Sequence, residues 1–316
     1  MAPVSYEKGL EEVGDGLYAY LQPDGGWGWS NAGLIVDGEQ TLLVDTLFDL
    51  RLTEEMLQSM RRAVPAAAEI GTLVNTHANG DHCYGNQLLA GARIVASRAA
   101  AEEMDELPPA AMAALIAQAP EMGALGEFFL HCFGPFSFEG IEPTAPTETF
   151  ADAHTLHVGD IEVDLIEVGP AHTRGDTLVH IPSAGVLYSG DILFAGAHPI
   201  AWAGPVSHWV EACERILTLG ARTIVPGHGP VSEPAQVLEL KAYFEYLYAE
   251  ARDRHARGMT PLEAVRSMAM ERWADWKEPE RLVVNVANIF AELSGEEPPN
   301  PLAAFQDMAT LHQHPA

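Results

Sequence analysis

Basic side chains are scarce in this sequence, which narrows the range of possible partners. Lysine and arginine total 17 against 45 aspartate and glutamate residues, which gives the 316-residue chain a formal net charge of −28. A surface with this charge repels the phosphates of nucleic acids. The composition therefore argues against a nucleic-acid partner, and we expect a small-molecule substrate.

Cysteine is also rare, and long apolar runs are missing. Cys83, Cys132 and Cys213 form neither a C-x-x-C motif nor an even disulfide set, so we expect reduced thiols. No apolar run approaches the roughly 18 residues of a membrane span. Residues 1–15 contain no hydrophobic stretch of the kind found in a signal peptide. These absences predict a cytoplasmic protein without membrane attachment.

Metal-binding side chains are concentrated in one short segment. His77, Asp81 and His82 follow an apolar run at residues 70–75, which is typical of a buried strand. Adjacent residues such as Asp81 and His82 do not share a helical face, so we expect them in a loop between that strand and a helix. The segment predicts a metal site.

Three further segments repeat this design, because each apolar run ends near a possible metal ligand. Residues 161–168 lead to His172, residues 186–189 lead to Asp191, and residues 222–225 lead to His228. Neutral imidazole and carboxylate are ligands that zinc prefers, and three or four of them complete a site. Together with the first segment, these residues are enough for two ions.

The ordered pattern resembles the metallo-β-lactamase superfamily, whose signature is H-x-H-x-D-H followed by His, Asp and His. The matching positions here are His77, Asn79, Asp81, His82, His172, Asp191 and His228. The resemblance implies an α+β fold, namely an αββα sandwich of two mixed sheets with helices outside. It also implies a metallo-hydrolase whose metal site lies at one edge of the sheets.

Asn79 departs from the signature, because the family has a second histidine there. By the family's pattern, His77 and His172 would hold a first ion. Asp81, His82 and His228 would hold a second, with Asp191 as a bridge. An amide oxygen is a weak donor that suits harder ions better than zinc. We expect the first site to be weak or to select iron or manganese. Alternatively, Asn79 ligates through oxygen and two zinc ions bind.

Two aspartates are expected to support these ligands. Asp45 ends the predicted strand at residues 41–44, where it could accept the spare N–H of a ligating histidine and fix its tautomer. Asp176 could act in the same way, or it could cap a turn or helix after Gly175.

The chain divides into a predicted catalytic domain at residues 1–235 and a helical extension at residues 236–316. Within the first part, residues 98–150 form a predicted helical insertion that is rich in phenylalanine. These phenylalanines either pack the insertion onto the sandwich or line a substrate pocket. The extension could cover the sandwich or form a homo-oligomer surface, and its tail from Gly295 is expected to be loosely held.

Three tryptophans are candidate substrate contacts for an apolar group. Trp27 and Trp29 lie in a glycine-rich hairpin tip, and Trp202 lies in a loop after the Asp191 strand. In the family a hairpin at this place hangs over the metal site. The alternative for Trp27 or Trp29 is a place in the core.

The expected chemistry is hydrolysis, because a bound metal ion acidifies water to a pKa of about 7. Asp81 is the candidate for passing a proton to the leaving group. No G-x-S-x-G element provides a serine nucleophile. We therefore expect cleavage of a thioester, lactone or β-lactam. Two alternatives stay open: a di-iron redox protein, and a non-hydrolytic lyase, cyclase or ligand-binding protein.

Overall fold

Two β-sheets lie face to face in this protein. The computed structural model describes residues 6–297 and 300–314, so residues 1–5 of the N-terminal segment and residues 298–299 and 315–316 of the tail lie outside it. The first sheet has the strand order of the chain: β1 (Gly9–Gly14), β2 (Leu17–Leu21), β3 (Ala32–Asp37), β4 (Gln40–Val44), β5 (Thr72–Val74), β6 (Arg93–Ser97) and β7 (Glu148–Phe150). Strands β1 to β4 pair antiparallel, and β4 to β7 pair parallel.

The second sheet contains the later strands. They are β8 (Ala153–Val158), β9 (Ile161–Glu167), β10 (Thr177–Ile181), β11 (Val186–Phe194) and β12 (Thr223–His228). Their order in the sheet is β12-β11-β10-β9-β8, and only β11 and β12 pair in parallel among these described strands.

Side-chain alternation along the strands separates two apolar clusters. Leu42 and Val44 of β4 point into a cluster between the sheets, whereas Leu43 belongs to the cluster beneath the helices. In β11, Tyr188 faces the other sheet and Leu187 faces the helices. Successive strand residues point to opposite faces, so each sheet buries both of its faces.

Helices cover the outer faces of both sheets and extend beyond them. They are α1 (Leu50–Ala63), α2 (Gly80–Cys83), α3 (Arg98–Glu103), α4 (Pro109–Gln118), α5 (Ala124–Phe133), α6 (Val206–Leu219), α7 (Pro234–Ala256), α8 (Pro261–Arg266), α9 (Leu282–Ser294) and α10 (Pro301–Gln313). The predicted αββα sandwich with a helical insertion and a helical C-terminal extension is confirmed. Helices α7 to α10 contribute to the same apolar cluster as the sandwich.

The segment that contains the candidate metal ligands Asp81 and His82 is not the loop that we expected. Both residues lie in α2, a single helical turn in which Tyr84 N–H donates to the carbonyl of Gly80. Adjacent residues of a helix point about 100° apart, which follows from 3.6 residues per turn. The two side chains can therefore approach a common centre from different directions, so a shared helical face is not required.

The expectation of a loosely held tail is wrong for residues 301–313. They form α10, in which Met308 and Leu311 are buried. Asn300 caps this helix, because its side chain accepts a hydrogen bond from Ala303 N–H. Pro301 occupies the first turn, where a missing N–H costs nothing. Pro301 therefore begins a helix within the tail.

Among the described residues, none of the helices combines the length and the apolar character that crossing a membrane requires.

Candidate metal centre and adjoining cavity

Six of the predicted ligands come together at one edge of the sandwich. His77, Asp81 and His82 follow β5, and His172 lies between β9 and β10. Asp191 is in β11 and His228 ends β12. Asp191 is central, because its carboxylate oxygens lie 3.1 Å from His82 Nε2, 3.3 Å from His172 Nε2, 3.4 Å from His228 Nε2 and 3.8 Å from His77 Nε2. Asp81 Oδ2 is 3.3 Å from His228 Nε2.

The atoms that face one another here have no ordinary partners. Nε2 of His77, Nε2 of His82 and Oδ1 of Asp191 are buried without an acceptable hydrogen bond, although the last two are only 3.1 Å apart. Buried polar atoms normally find partners, so each such atom calls for an explanation. A cation explains all three, and imidazole with carboxylate is a donor set for zinc and similar ions.

The charges of the cluster also fit a cation. Burial lowers the pKa of His82, but the carboxylates of Asp191, Asp81 and Asp45 outweigh burial and hold that pKa well above its ordinary value. Burial likewise lowers the pKa of His228, while Asp191 and Asp81 raise it to about 9. Protons on these imidazoles thus balance the carboxylates, and a metal ion would displace them on binding.

Two compact ligand sets share His82. Donor atoms of Asp81, His82 and His228 lie within 4.8 Å of one another, as do those of His77, His82 and Asp191. The former set contains the three residues that we expected to hold the second ion with Asp191. In the latter set, His82 takes the place that we expected for His172.

Asn79 contacts the ring nitrogen of His172 that could bind a metal ion. Nδ1 of His172 donates to the carbonyl of Ile200 over 2.7 Å, so Nε2 carries the lone pair. The Asn79 amide donates to that Nε2 over 2.9 Å. Asn79 therefore occupies the lone pair with which His172 would bind an ion, and in this arrangement it faces His172 through nitrogen.

Asp45 lies where the sequence suggested, at the end of β4, and it contacts one ligand directly. His82 Nδ1 donates to Asp45 Oδ2 over 2.9 Å. The hydroxyl of Thr76 also donates to Oδ2, over 2.8 Å, and it lies 2.9 Å from His77 Nδ1. One carboxylate thus orients His82 directly and His77 through Thr76, leaving Nε2 of both rings free. Thr76 was missed in the sequence, where it is an ordinary strand-end threonine.

Two backbone features, one at Asp45 and one at Gly227, allow this arrangement. Asp45 adopts φ 65°, a left-handed conformation that aspartate tolerates better than most residues. At Gly227, a Cβ atom would collide with Oδ1 of Asp191. A side chain there would displace the central carboxylate of the cluster.

Asp176 forms no hydrogen bond or ion pair with any predicted ligand among the described residues. Its carboxylate accepts from the backbone N–H of Thr173 over 3.0 Å and from the Thr173 hydroxyl over 2.7 Å. This is the turn-capping role that the sequence left open as the alternative. Burial raises the pKa of Asp176 to about 8, although the hydrogen bonds from Thr173 oppose that shift.

A cavity of roughly 600 Å³ adjoins the cluster and is lined by Asn79, Asp81, His172, Asp191 and His228 at one end. Apolar and aromatic side chains form most of the remaining walls. They come from the insertion, from the C-terminal helices and from the sandwich itself, and they include Phe48, Met112, Leu115, Leu125, Phe129, Phe133, Phe194, Ile200, Leu302 and Phe305. The cavity therefore joins an apolar chamber to the candidate metal ligands.

The structure separates the three tryptophans. Trp27 and Trp202 line the cavity, with ring centroids 6.4 Å apart. Trp29 is not among the described residues that line it, and its ring packs on Phe136 at 4.9 Å. The alternative of a packing role therefore describes Trp29.

The phenylalanines of the insertion also divide between the two possibilities. Phe129 and Phe133 line the cavity, whereas Phe128, Phe136 and Phe138 are buried in the core without lining it. Phe305 of α10 and Arg281, just before α9, also line the cavity and were missed in the sequence. Neither has a local sequence pattern that distinguishes a cavity residue from a packing or surface residue.

The sequence profile of the metallo-beta-lactamase superfamily matches residues 25–228, which include all the predicted ligands. The chain belongs to this superfamily. The matched stretch ends before the helices that complete the cavity. Superfamily membership supports a hydrolase with a metal site, and it leaves the identity of the metal open.

Two mammalian relatives are similar in sequence. An acyl-coenzyme A thioesterase, MBLAC2, from Homo sapiens is 27% identical over 216 residues, which are 63% of this chain and 72% of the relative. The protein of the same name from Bos taurus is 26% identical with the same coverage. These similarities support hydrolase activity in this member of the superfamily.

Solved structures show the same fold. The sec-alkylsulfatase Pisa1 from Pseudomonas sp. superposes on 93% of this chain with a TM-score of 0.68 and 17% identity, and the chain spans about half (51%) of that protein. A metallo-beta-lactamase from Pontibacter korlensis superposes on 76% of this chain and 99% of its own, with a TM-score of 0.56 and 18% identity.

Proposed function

We propose that the protein is a metal-dependent hydrolase of an ester-like bond, with a thioester preferred over a lactone or a β-lactam. The observation that carries this proposal is that apolar walls and the histidine and aspartate cluster line the same cavity. An acyl chain suits those walls, since burying apolar surface stabilises binding. The similarity to acyl-coenzyme A thioesterases supports the choice of a thioester.

Zinc is the proposed metal, as one or two ions. Asp81, His82 and His228, with Asp191, would hold the better-formed site, and His77 would contribute to the weaker one. When bound, such an ion acidifies water to a pKa of about 7 and polarises a carbonyl group. The protein's part is to orient the ligands, which Asp45 does for His82 and His77.

Asp81 is the proposed proton carrier. Its side chain lines the cavity and is 12% exposed, against 3% or less for His82, His228 and Asp191. Burial raises the pKa of Asp81, but His82 and His228 lower it below the ordinary value. Asp81 therefore starts ionised. It can accept a proton from water and pass it to the leaving group.

Charge at the cavity favours a leaving group with few negative charges. Glu103 and Glu106 line the cavity together with Asp81. The chain as a whole carries −28. Like charges repel an incoming anion and slow its association. We therefore expect a thioester with a small neutral thiol to be cleaved at least as well as the matching coenzyme A ester, which carries several phosphates.

The test is hydrolysis by the metal-loaded protein of matched esters. Decanoyl-N-acetylcysteamine, decanoyl-coenzyme A, a lactone of similar size and a β-lactam are compared by kcat/KM. We expect the small thioester to be the best substrate. Asp81→Ala and His82→Ala should abolish hydrolysis and sharply lower bound metal, whereas Asn79→Ala should cost less. Asp253→Ala, at an exposed ion pair with Arg257, is the control.

Failure of every ester in this panel would remove the hydrolase proposal. Equal loss of metal in Asn79→Ala, Asp81→Ala and His82→Ala would contradict the proposed ranking of the ligands. Iron with a visible absorption band in the purified protein would instead favour the redox alternative.

A further inference from the structure

Arg281 is a buried cation on the wall of the cavity. It ends the 3-10 turn Pro279–Arg281, immediately before α9, and is only 2% exposed. It lines the cavity that also contains the candidate metal ligands. No carboxylate of the described residues lies within 4.0 Å of its nitrogen atoms. Buried arginines are normally paired, so this position needs an explanation.

Protein contacts hold the guanidinium in place but satisfy only part of it. Nη1 donates to the carbonyl of His198 over 3.0 Å. The guanidinium carbon lies 4.1 Å from the Trp27 ring centroid and 5.3 Å from that of Phe194. Nε is buried and has no hydrogen-bond partner. Guanidinium has five N–H donors and no acceptor, so its unused donors require an oxygen from elsewhere.

The two acids nearest to Arg281 in the sequence, Glu278 and Glu280, form no ion pair with it. Glu280 accepts from Trp27 Nε1 over 3.0 Å, and its other oxygen is 4.0 Å from His312 Nδ1. Burial raises the pKa of Glu278 to about 7, although Arg281 opposes that shift. Glu278 is therefore only partly ionised at neutral pH. Neither acid pairs with the guanidinium directly.

Two aromatic rings place Arg281 beside the candidate metal centre. Phe194, which contacts the guanidinium, also stacks on His228 with centroids 5.1 Å apart. Trp27, on which the guanidinium lies, contacts Trp202 and Phe305 of the apolar walls. An anion bound by Arg281 would therefore lie near the metal ligands, while an attached apolar chain could occupy the chamber.

We propose that Arg281 is a binding residue for the carboxylate of an apolar acid held in the cavity. The planar fork of arginine matches the two oxygens of a carboxylate. A singly charged carboxylate suits this acidic chain better than a doubly charged phosphate does. The acid released by ester hydrolysis has this chemistry, so the inference deepens the proposed function and rests on it for the identity of the ligand.

The test measures binding without turnover. Decanoate and 1-decanol, which share a ten-carbon chain and differ in the head group, are titrated into the full-length protein as purified. Tryptophan fluorescence or calorimetry reports the dissociation constants of wild type, Arg281→Gln and Arg281→Lys, with metal content measured for each. A metal ion contributes equally in all three proteins when the metal content is equal, so the difference isolates the guanidinium.

Wild type should bind decanoate more tightly than decanol. In Arg281→Gln, decanoate should bind roughly 10-fold or more weakly, the usual scale of a charge-assisted hydrogen bond, whereas decanol should change little. Arg281→Lys should keep part of the preference, because lysine retains the charge but not the fork. If Arg281→Gln does not fold, the Arg281→Lys result and the wild-type preference decide.

Three outcomes would overturn the proposal. They are no preference for decanoate in wild type, an unchanged preference in Arg281→Lys, and equal losses for decanoate and decanol in the folded variants. The last outcome would give Arg281 a purely structural role between Trp27 and Phe194. Failure of the protein to hydrolyse thioesters would leave the binding result unaffected, so the two proposals fail separately.

Discussion

The side-chain amide of Asn79 donates a hydrogen bond to Nε2 of His172 over 2.9 Å. The opposite ring nitrogen of His172 donates to a backbone carbonyl, so Nε2 is the atom that could bind a metal. A histidine at position 79 could instead offer a second imidazole to the same ion. Asparagine at position 79 therefore removes one possible metal ligand. Its amide also occupies Nε2 of a second possible ligand, His172.

Metal stoichiometry should reveal this competition. We expect about one tightly held ion per wild-type chain and about two in Asn79→His, because the variant frees His172 and adds a donor. Elemental analysis of both proteins after the same dialysis measures metal identity and content together. Two tightly held zinc ions in both proteins would show instead that Asn79 ligates through its oxygen.

Removing the carboxylate of Asp45 should weaken metal binding without removing any ligand. In Asp45→Asn, an amide replaces the group that accepts from both His82 Nδ1 and the Thr76 hydroxyl. Loss of such a supporting carboxylate typically lowers metal affinity about 10- to 100-fold. Competition with a chelator at pH 7 measures the affinity directly.

Asp176→Asn is the matched control for Asp45→Asn. Asp176 is as deeply buried as Asp45, each being 2% exposed, but it bonds to Thr173 rather than to a ligand. With a pKa of about 8, its carboxyl is mostly protonated at pH 7, so a neutral amide is a mild replacement. The metal affinity of the Asp176→Asn variant should match that of wild type. An equal loss in both variants would mean that general destabilisation, rather than ligand orientation, explains the effect.

Phe305 should set the preferred acyl length. Its ring stacks on Trp202 with centroids 5.8 Å apart and forms part of the cavity wall. Phe305→Ala would enlarge the chamber, so we expect KM for the best wild-type thioester to rise roughly 10-fold, the scale of losing about one or two buried methylene contacts. The optimum should shift to a longer chain. Steady-state kinetics with a series of acyl lengths measures both effects.

Gln306→Ala tests whether the effect is specific to the cavity wall. Gln306 neighbours Phe305 on α10 but is exposed to solvent. The dependence of activity on acyl length should be the same in Gln306→Ala as in wild type. If both variants shift the optimum, the position of α10 as a whole, rather than the ring of Phe305, would control acyl length.

Sequence patterns predicted the strands and the ligand-bearing strand ends because these signals are local. Alternation at residues 161–168 and the apolar run before His77 each depend on a few consecutive residues. Apart from Trp27 and Trp202, most of the cavity wall could not be predicted in this way. Trp27 and Glu280 form a hydrogen bond across 253 positions, and nothing in either local segment indicates the partner.

The errors had equally specific causes. The tail from Gly295 is expected to be loosely held, whereas Pro301 begins a helix that Asn300 caps. Asp81 and His82 were placed in a loop because they do not share a helical face, whereas a common centre between them requires no shared face. Trp29 looks equivalent to Trp27 in the sequence, but in the structure Trp27 lines the cavity and Trp29 packs on Phe136.

The cavity is assembled from two distant stretches of the chain. The superfamily profile ends at His228, the last predicted ligand, whereas Arg281, Leu302 and Phe305 lie beyond it. A genetic exchange of the segment after His228 would therefore replace one part of the cavity wall and leave the candidate metal ligands unchanged. Within this architecture, a lineage could inherit its reaction from one ancestor and its choice of substrate from another.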